Sequence, residues 1–384
     1  MKKIIPYGRQ NIDNQDIREV CNTLKSDFLT TGNKVIEFEN KFKNFTKANY
    51  VATCNSGTSA LYLSMLAIDL KKDDNVIIPA INFIASYNAC KILNANVYLA
   101  DVDPVTGQMT PETLIECIKI NKIKKIKLII SMYLSGNALN VKKLYKIKKK
   151  YNCFLIEDAC HALGSEYKEG IKKIKVGSCK HSDICTFSFH PIKSITTAEG
   201  GAITTNSKKI IDKIFLLRSH GIVRSNKEKH WHYDVKTYGY NFRLSDFNCA
   251  LGISQLKKIN TFISFRKKVA KFYIQKLSKI KENLILPDMG KTTNSWHLFL
   301  VSINFKKIKK NKELFFKFMK NNGVIVQYHY IPLYRFSITK SKYKKLKNAE
   351  IYFNNAVSMP IFYKFKKKQQ LKVLTLLNNF LKKK

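Results

Sequence analysis

A turn near the middle of the chain holds the side chains most suited to chemistry. In Thr186-Phe187-Ser188-Phe189-His190-Pro191-Ile192-Lys193, an apolar strand empties into a compact segment bearing one hydroxyl, Ser188, and a lysine five positions later. Small and hydroxylated residues follow (Ser194, Thr196, Thr197, Ala198, Gly200, Gly201), so Lys193 reads as enclosed rather than solvated. A desolvated lysine loses affinity for its proton and becomes a nucleophile toward carbonyls, with which it forms a Schiff base. Two further segments complement it. Asn55-Ser56-Gly57-Thr58-Ser59 lies where a strand hands over to a helix, and free backbone N–H groups and hydroxyls there suit an anion. It lacks the lysine and spacing of a P-loop, and a plain helix cap is the alternative. Phe154-Leu155-Ile156-Glu157-Asp158 is an apolar strand that ends in carboxylates. A buried Asp158 needs a cationic partner, and a protonated ring nitrogen is one; capping the next segment is the other reading.

A phosphate cradle, an aspartate for a ring nitrogen and a Schiff-base lysine are together the protein-side requirements of pyridoxal 5'-phosphate (PLP). The elements that must position them alternate. Strands at 50–54, 75–78, 97–101, 127–132 and 154–157 are separated by helical patterns at 58–68, 83–93, 111–120 and 141–150. Such alternation implies an α/β fold on a largely parallel sheet, where ligands gather beyond the carboxyl ends of strands. The spacing also predicts helix over 14–45. Strands are expected at 184–189, 202–205, 296–303 and 324–327, and the last part of the chain reads as a smaller α+β domain.

Composition narrows the class. Among 384 residues, 69 are basic and 27 acidic, for a net charge of +42. Only seven of the basic residues are arginine, the usual choice for gripping phosphates or reading bases. The lysines are spread over most helices, like the residue bias of a low-GC genome, and no basic–aromatic recognition element appears; no nucleic-acid partner is expected. The nine cysteines are odd in number, without C-x-x-C, which suggests reduced thiols in the cytoplasm and no metal. The start, Met1 to Tyr7, does not read as a signal peptide, since Pro6 cuts off the apolar stretch after two residues. No run reaches the ~18 apolar residues of a membrane span.

The chain resembles the DegT/DnrJ/EryC1/StrS family of sugar aminotransferases, which are fold-type-I PLP enzymes. The resemblance rests on Leu29-Thr30-Thr31-Gly32, the Ser56 loop, Asp158-Ala159-Cys160-His161, Phe187 to Lys193, Glu199-Gly200-Gly201, Arg218-Ser219-His220-Gly221 and Asn241-Phe242-Arg243-Leu244. It implies a large PLP-binding domain over 1–258, with a mostly parallel seven-stranded sheet and an N-terminal arm, and a small α+β domain over 259–384. It further implies that Lys193 anchors PLP and shuttles a proton, and that Asp158 keeps the pyridine nitrogen protonated. Ser56, Gly57, Thr58 and Ser188 would take the phosphate, with Asn241 reaching in from a second subunit of a homodimer. Phe83 would stack on the ring, unless it is core packing. His161 would sit beside the phenolic oxygen, unless it is a core histidine satisfied by backbone.

Within that family, His161 to Tyr167, Ser194 to Gly201 and Gln327 to Tyr330 are similar to the UDP-4-keto-sugar transaminases of pseudaminic acid biosynthesis. That likeness assigns substrate contacts to Tyr7, Asp27, Phe28, Leu29, Thr30, Gln327, Tyr328, His329 and Tyr330, with Ser56 and Ser188 shared between cofactor and substrate. The substrates implied are L-glutamate and a UDP-linked keto sugar. Other 3- or 4-aminotransferases of the family, of perosamine or bacillosamine type, and a non-catalytic regulatory protein are the rival readings. Ser131 to Asn137 departs from the shorter aromatic–glycine step usual there, which leaves local substrate contacts open.

Overall fold

The computed structural model describes residues 4–224, 229–290 and 292–382. The reading of the start as no signal peptide rests partly on residues 1–3, which lie outside the described residues. Helices α1 (Asn14–Leu24) and α2 (Asn33–Thr46) come first. The expected alternation follows as β1 (Tyr50–Cys54), α3 (Gly57–Ala67), β2 (Asn75–Pro79), α4 (Ile84–Ile92), β3 (Asn96–Ala100), α5 (Pro111–Ile120), β4 (Leu128–Met132), α6 (Val141–Lys150) and β5 (Phe154–Asp158). A hairpin, β6 (Glu166–Glu169) and β7 (Lys172–Lys175), precedes β8 (Ile184–Ser188), β9 (Gly201–Thr205) and α7 (Lys208–Arg218).

Seven strands form the main sheet in the order β1-β9-β8-β5-β4-β2-β3. The run from β8 to β3 is parallel, and β9 is antiparallel to both β1 and β8. Helices cover both faces, so strands such as β4 are buried at every position and read as continuous apolar runs. Of the helices, α3 is the most enclosed; Leu61, Leu63, Met65 and the small residues Ala60 and Ser64 bury nearly all of its sides. Its N-terminus is therefore fixed by packing at the carboxyl edge of the sheet, where the Ser56 Oγ accepts from the Ser59 N–H at 3.0 Å and caps it.

The chain continues through β10 (Ile222–Val223), β11 (Asp234–Val235), α8 (Asp246–Lys257) and the long α9 (Ile259–Leu277). An antiparallel sheet of β12 (Leu284–Ile285), β13 (Phe299–Ile303) and β14 (Ala356–Met359) then packs with α10 (Lys312–Asn321), α11 (Lys347–Asn355) and α12 (Lys367–Lys382). Its core gathers Tyr273, Trp296, Phe299, Phe315, Phe365 and Leu377, and Ile5 from the N-terminal arm joins it through a bridge to Val324.

Some of the expected elements need correction. The helix expected over 14–45 breaks at 25–32, where Thr31 takes φ +57° and Gly32 immediately precedes α2. The Asp246 carboxylate supplies the missing cap from across the fold, accepting from the Gly32 and Lys34 N–H groups at 2.8 and 2.9 Å. The strand expected at 324–327 is absent as a ladder; its ends make isolated bridges, Val324 to Ile5 and Gln327 to Ser358. That exchange brings Tyr7 and residues 327–330 together beside the main sheet.

Candidate active site

A cleft of about 430 Å³ opens at the carboxyl ends of β5 and β8 and the N-terminus of α3. Tyr7, Ser56, Gly57, Thr58, Phe83, Asp158, His161, Ser188, Lys193 and Gln327 to Tyr330 all line it. Residues separated by more than three hundred positions thus converge on one cavity. Asp27 to Thr30 and Asn241 do not line it; Phe28 and Leu29 point their apolar surfaces outward, at 61% and 44% exposure. Asn241 lies nearby, its carbonyl accepting from the Asn55 side chain at 3.5 Å.

Asp158 ends β5, in register with Met132 on β4 and Thr186 on β8. It is 3% exposed and accepts from the Cys160 N–H at 3.1 Å. Burial pushes its carboxyl up, while Cys160 and the ammonium of Lys193 pull the other way. Lys193 follows a turn closed by its own N–H donating to the His190 carbonyl at 2.8 Å. Enclosure pulls its amine below the usual lysine range, against the opposing charges of Cys160 and Asp158. The amine faces the cleft with a carboxylate near it and no carboxylate paired to it among the described ion pairs. Both properties suit a nucleophile that must shed its proton.

The cradle is equally tight. A Cβ on Gly57 would stand 2.8 Å from the Ser188 Cβ, so only glycine lets the start of α3 approach β8 this closely. The first helical turn leaves N–H groups without intrahelical partners, and the Ser56, Thr58 and Ser188 hydroxyls surround them. In the same cleft, Phe83 is 52% exposed with its ring 5.8 Å from that of Tyr330, so the core-packing alternative does not hold. His161 is buried, but a side chain rather than backbone engages it: the Tyr330 hydroxyl lies 2.9 Å from Nε2. Its Nδ1 has no partner, and its ring packs 4.3 Å from His297. Burial and the Lys193 charge hold His161 well below the ordinary histidine range, so its ring is neutral. Cys160, His190 and Glu199 also line the cleft, and His297 stands behind it. Proximity to Asp158 and Lys193 is the signal that could have flagged the first three; His297 carries none.

Glu157, the neighbour of Asp158, faces away from the cleft into the core, where the Tyr133 hydroxyl donates to it. Burial raises its carboxyl to about 7. Between the unfolded value of about 4.3 and about 7 the native state therefore binds the extra proton, so stability falls as pH rises through that window. Glu157→Gln keeps an acceptor for Tyr133 without the charge. It should flatten that slope and stabilise the protein above pH 7 by up to about 3 kcal/mol in denaturant titrations. Parallel pH profiles for the two proteins would contradict this.

Fold and cleft define a class, the fold-type-I PLP-dependent transferases. The model of the DegT/DnrJ/EryC1/StrS aminotransferase family matches residues 10–378. A UDP-4-amino-4,6-dideoxy-N-acetyl-beta-L-altrosamine transaminase of Campylobacter jejuni is 37% identical over 93% of this chain and 92% of its own. A GDP-perosamine synthase of Escherichia coli is 30% identical over 98% of this chain and 99% of its own. Among solved structures, the Helicobacter pylori aminotransferase PseC, involved in pseudaminic acid biosynthesis, superposes with a TM-score of 0.90 at 28% identity over 99% of both chains. A Streptococcus pneumoniae structure in a PLP form does so at 0.88 and 25% identity over 98% of both chains. The chain belongs to the DegT/DnrJ/EryC1/StrS aminotransferase family. It is a PLP-dependent sugar aminotransferase.

Proposed function

We propose that the protein moves an amino group from L-glutamate to the 4-position of a UDP-4-keto-6-deoxy-N-acetylhexosamine. The product is a UDP-4-amino sugar for surface glycans of the pseudaminic acid type, made in the cytoplasm. The carrying observation is the 37% identity to the altrosamine transaminase across nearly the whole of both chains. Tyr7 and Gln327 to Tyr330, which line the same cleft as Lys193, supply the aromatic and amide surface for a nucleotide sugar. A GDP-linked 4-keto sugar is the second reading, favoured by the likeness to the perosamine synthase.

The residues present fit PLP: an unpaired lysine amine, a buried carboxylate without a cation of its own, and a glycine-tight N-terminal helical cradle. PLP, when bound, supplies an aldehyde that captures amines and a ring that takes up electrons. The start of α3 with Ser56, Thr58 and Ser188 would hold the phosphate. Asp158 would keep the proton on the ring nitrogen. Phe83 would cover one face of the ring, and neutral His161, fixed by Tyr330, would orient its phenolic oxygen. Lys193 Nζ would anchor the group between turnovers and, once displaced, carry the proton taken from the α-carbon of glutamate. Incubation with glutamate and a panel of UDP- and GDP-linked 4-keto sugars, with NMR of the product, tests the assignment; amination of the GDP sugars alone would favour the second reading.

The domain division at 258/259 falls at the break between α8 and α9, and we retain it as part of this reading. A second copy would complete the site. The outward faces of α1, the following turn and the start of α2 expose Ile17, Leu24, Phe28, Leu29 and Ile36, apolar surface that is costly to leave in water. α1 buries Asp16 and Thr23 instead, against α8. On this reading that apolar surface is the homodimer face, and Asn241 and Asp27 to Thr30 serve the partner's cleft. Ile17→Glu with Leu24→Glu should therefore shift the mass in sedimentation toward a monomer and lower activity together with it. An unchanged mass would refute the placement of the interface.

A further inference from the structure

Behind the Lys193 turn lies a second, much smaller cavity, distinct from the cleft. Its walls include Arg9, Asn11, Ser194, Gln255, Arg266 and Tyr363, and no aspartate or glutamate. Arg266 projects from α9 and is 3% exposed. Its Nη1 donates to the carbonyls of His297 and Trp296 at 3.1 and 3.4 Å, and its Nε has no partner. Arg218, the other arginine with a largely enclosed guanidinium, is paired with Glu39, and even the exposed Arg335 is paired with Glu350. Among the described residues Arg266 has no carboxylate within 4.0 Å. Asp16, which reaches this region through Gln255 at 2.8 Å, is already neutralised by Lys258 at 2.7 Å.

Two carbonyl dipoles satisfy part of the hydrogen-bonding of a guanidinium but none of its charge. Leaving a buried cation unpaired costs several kcal/mol, so a counter-charge is expected where one can fit. The cavity offers it room. About 10 Å³ is available to the centre of a water-sized species, enough for one such particle and too little for a carboxylate, phosphate or nucleotide. A second arginine and neutral donors on the walls, with no acid, set the sign. We propose that the cavity bounded by Arg9 and Arg266 binds one monatomic monovalent anion of the chloride class, which serves as the counter-charge of Arg266. The site is independent of the amino-transfer reading, since none of its side chains except Lys193 borders the cleft.

Crystals of the full chain soaked in sodium bromide, with diffraction at the bromine edge, should show an anomalous peak touching the Arg266 guanidinium. In solution, binding to the native state alone raises thermal stability in a saturable manner. The melting midpoint should thus be higher in sodium chloride than in sodium gluconate of equal ionic strength. Arg266→Met should abolish that difference, whichever way its own baseline moves, because removing a buried charge can itself stabilise. Arg9→Gln, an exposed position whose replacement leaves the core intact, should weaken it. Absence of the peak, or identical midpoints in the two salts, overturns the proposal. A peak with the same halide response in wild type and both variants marks an adventitious ion only and overturns it equally. Visible absorbance of bound PLP in Arg9→Gln reports separately on the cleft, so failure of the anion site and failure of the aminotransferase reading are told apart.

Discussion

Lys193→Ala should abolish multiple turnover, lowering 2-oxoglutarate release from glutamate and keto sugar by more than about 10³-fold. Proton transfer by a positioned side chain contributes about 10²–10⁴ in rate, and loss of the covalent anchor is added to it. The effect belongs to this lysine rather than to cationic charge in general. Its amine sits in a wall formed by Asp158, Cys160 and the Ser188 turn, where enclosure favours the neutral form. Surface lysines such as Lys208, paired with Asp212 on α7, lie in solvent and lack this enclosure. Lys193→Arg sharpens the test, because a guanidinium keeps the positive charge but does not release a proton at any working pH. Both variants should fail alike, while the native protein should be yellow and should lose that colour on adding L-glutamate. Turnover within tenfold of the native rate in Lys193→Ala would remove the lysine from the mechanism.

The reach of the sequence into this structure follows from how local each constraint is. Strand-to-helix alternation is written in short windows, so β1 to β5 and the helices between them are legible, and with them Asp158 and the Ser56 loop at strand ends. Lys193 stands out because the segment after it is rich in small and hydroxylated residues. Constraints imposed from a distance leave no such trace. Asp246 caps α2 from 214 positions away, which is why 14–45 reads as one helix. On α1 the spacing of Ile17, Val20 and Leu24 reveals an apolar face but not its direction. The buried face is the one with Asp16, held by Lys258 and Gln255. The strand expected from 296 begins only at Phe299, since Trp296 takes φ +54° and its N–H is bound by the Asn294 side chain at 2.7 Å. His297 and Arg266 acquire their surroundings only through distant contacts, Arg266 with the carbonyls of Trp296 and His297 and His297 with His161, and neither sits in a motif.

Asp158→Asn should cost about 10²–10⁴ in kcat while leaving the fold intact. The carboxylate is almost fully buried, accepts one backbone N–H, and is raised by desolvation that Cys160 and the nearby Lys193 charge only partly offset. Such a group is held in waiting for a positive partner, and a protonated ring nitrogen would be that partner. Breaking a buried charge pair by removing one member costs about 3–5 kcal/mol, which at 1.36 kcal/mol per decade gives the stated range. Asparagine has nearly the same shape and can still accept from Cys160, so packing around β5 should survive and thermal midpoints should change little. Its amide cannot stabilise a proton on the ring, and the cofactor's capacity to take up electrons falls accordingly. The expected signature is a low kcat with an altered visible spectrum and with PLP still retained through Lys193 and the Ser56 cradle. A variant with native kcat and native spectrum would show that Asp158 caps its own turn, the alternative its position at the end of β5 also allows.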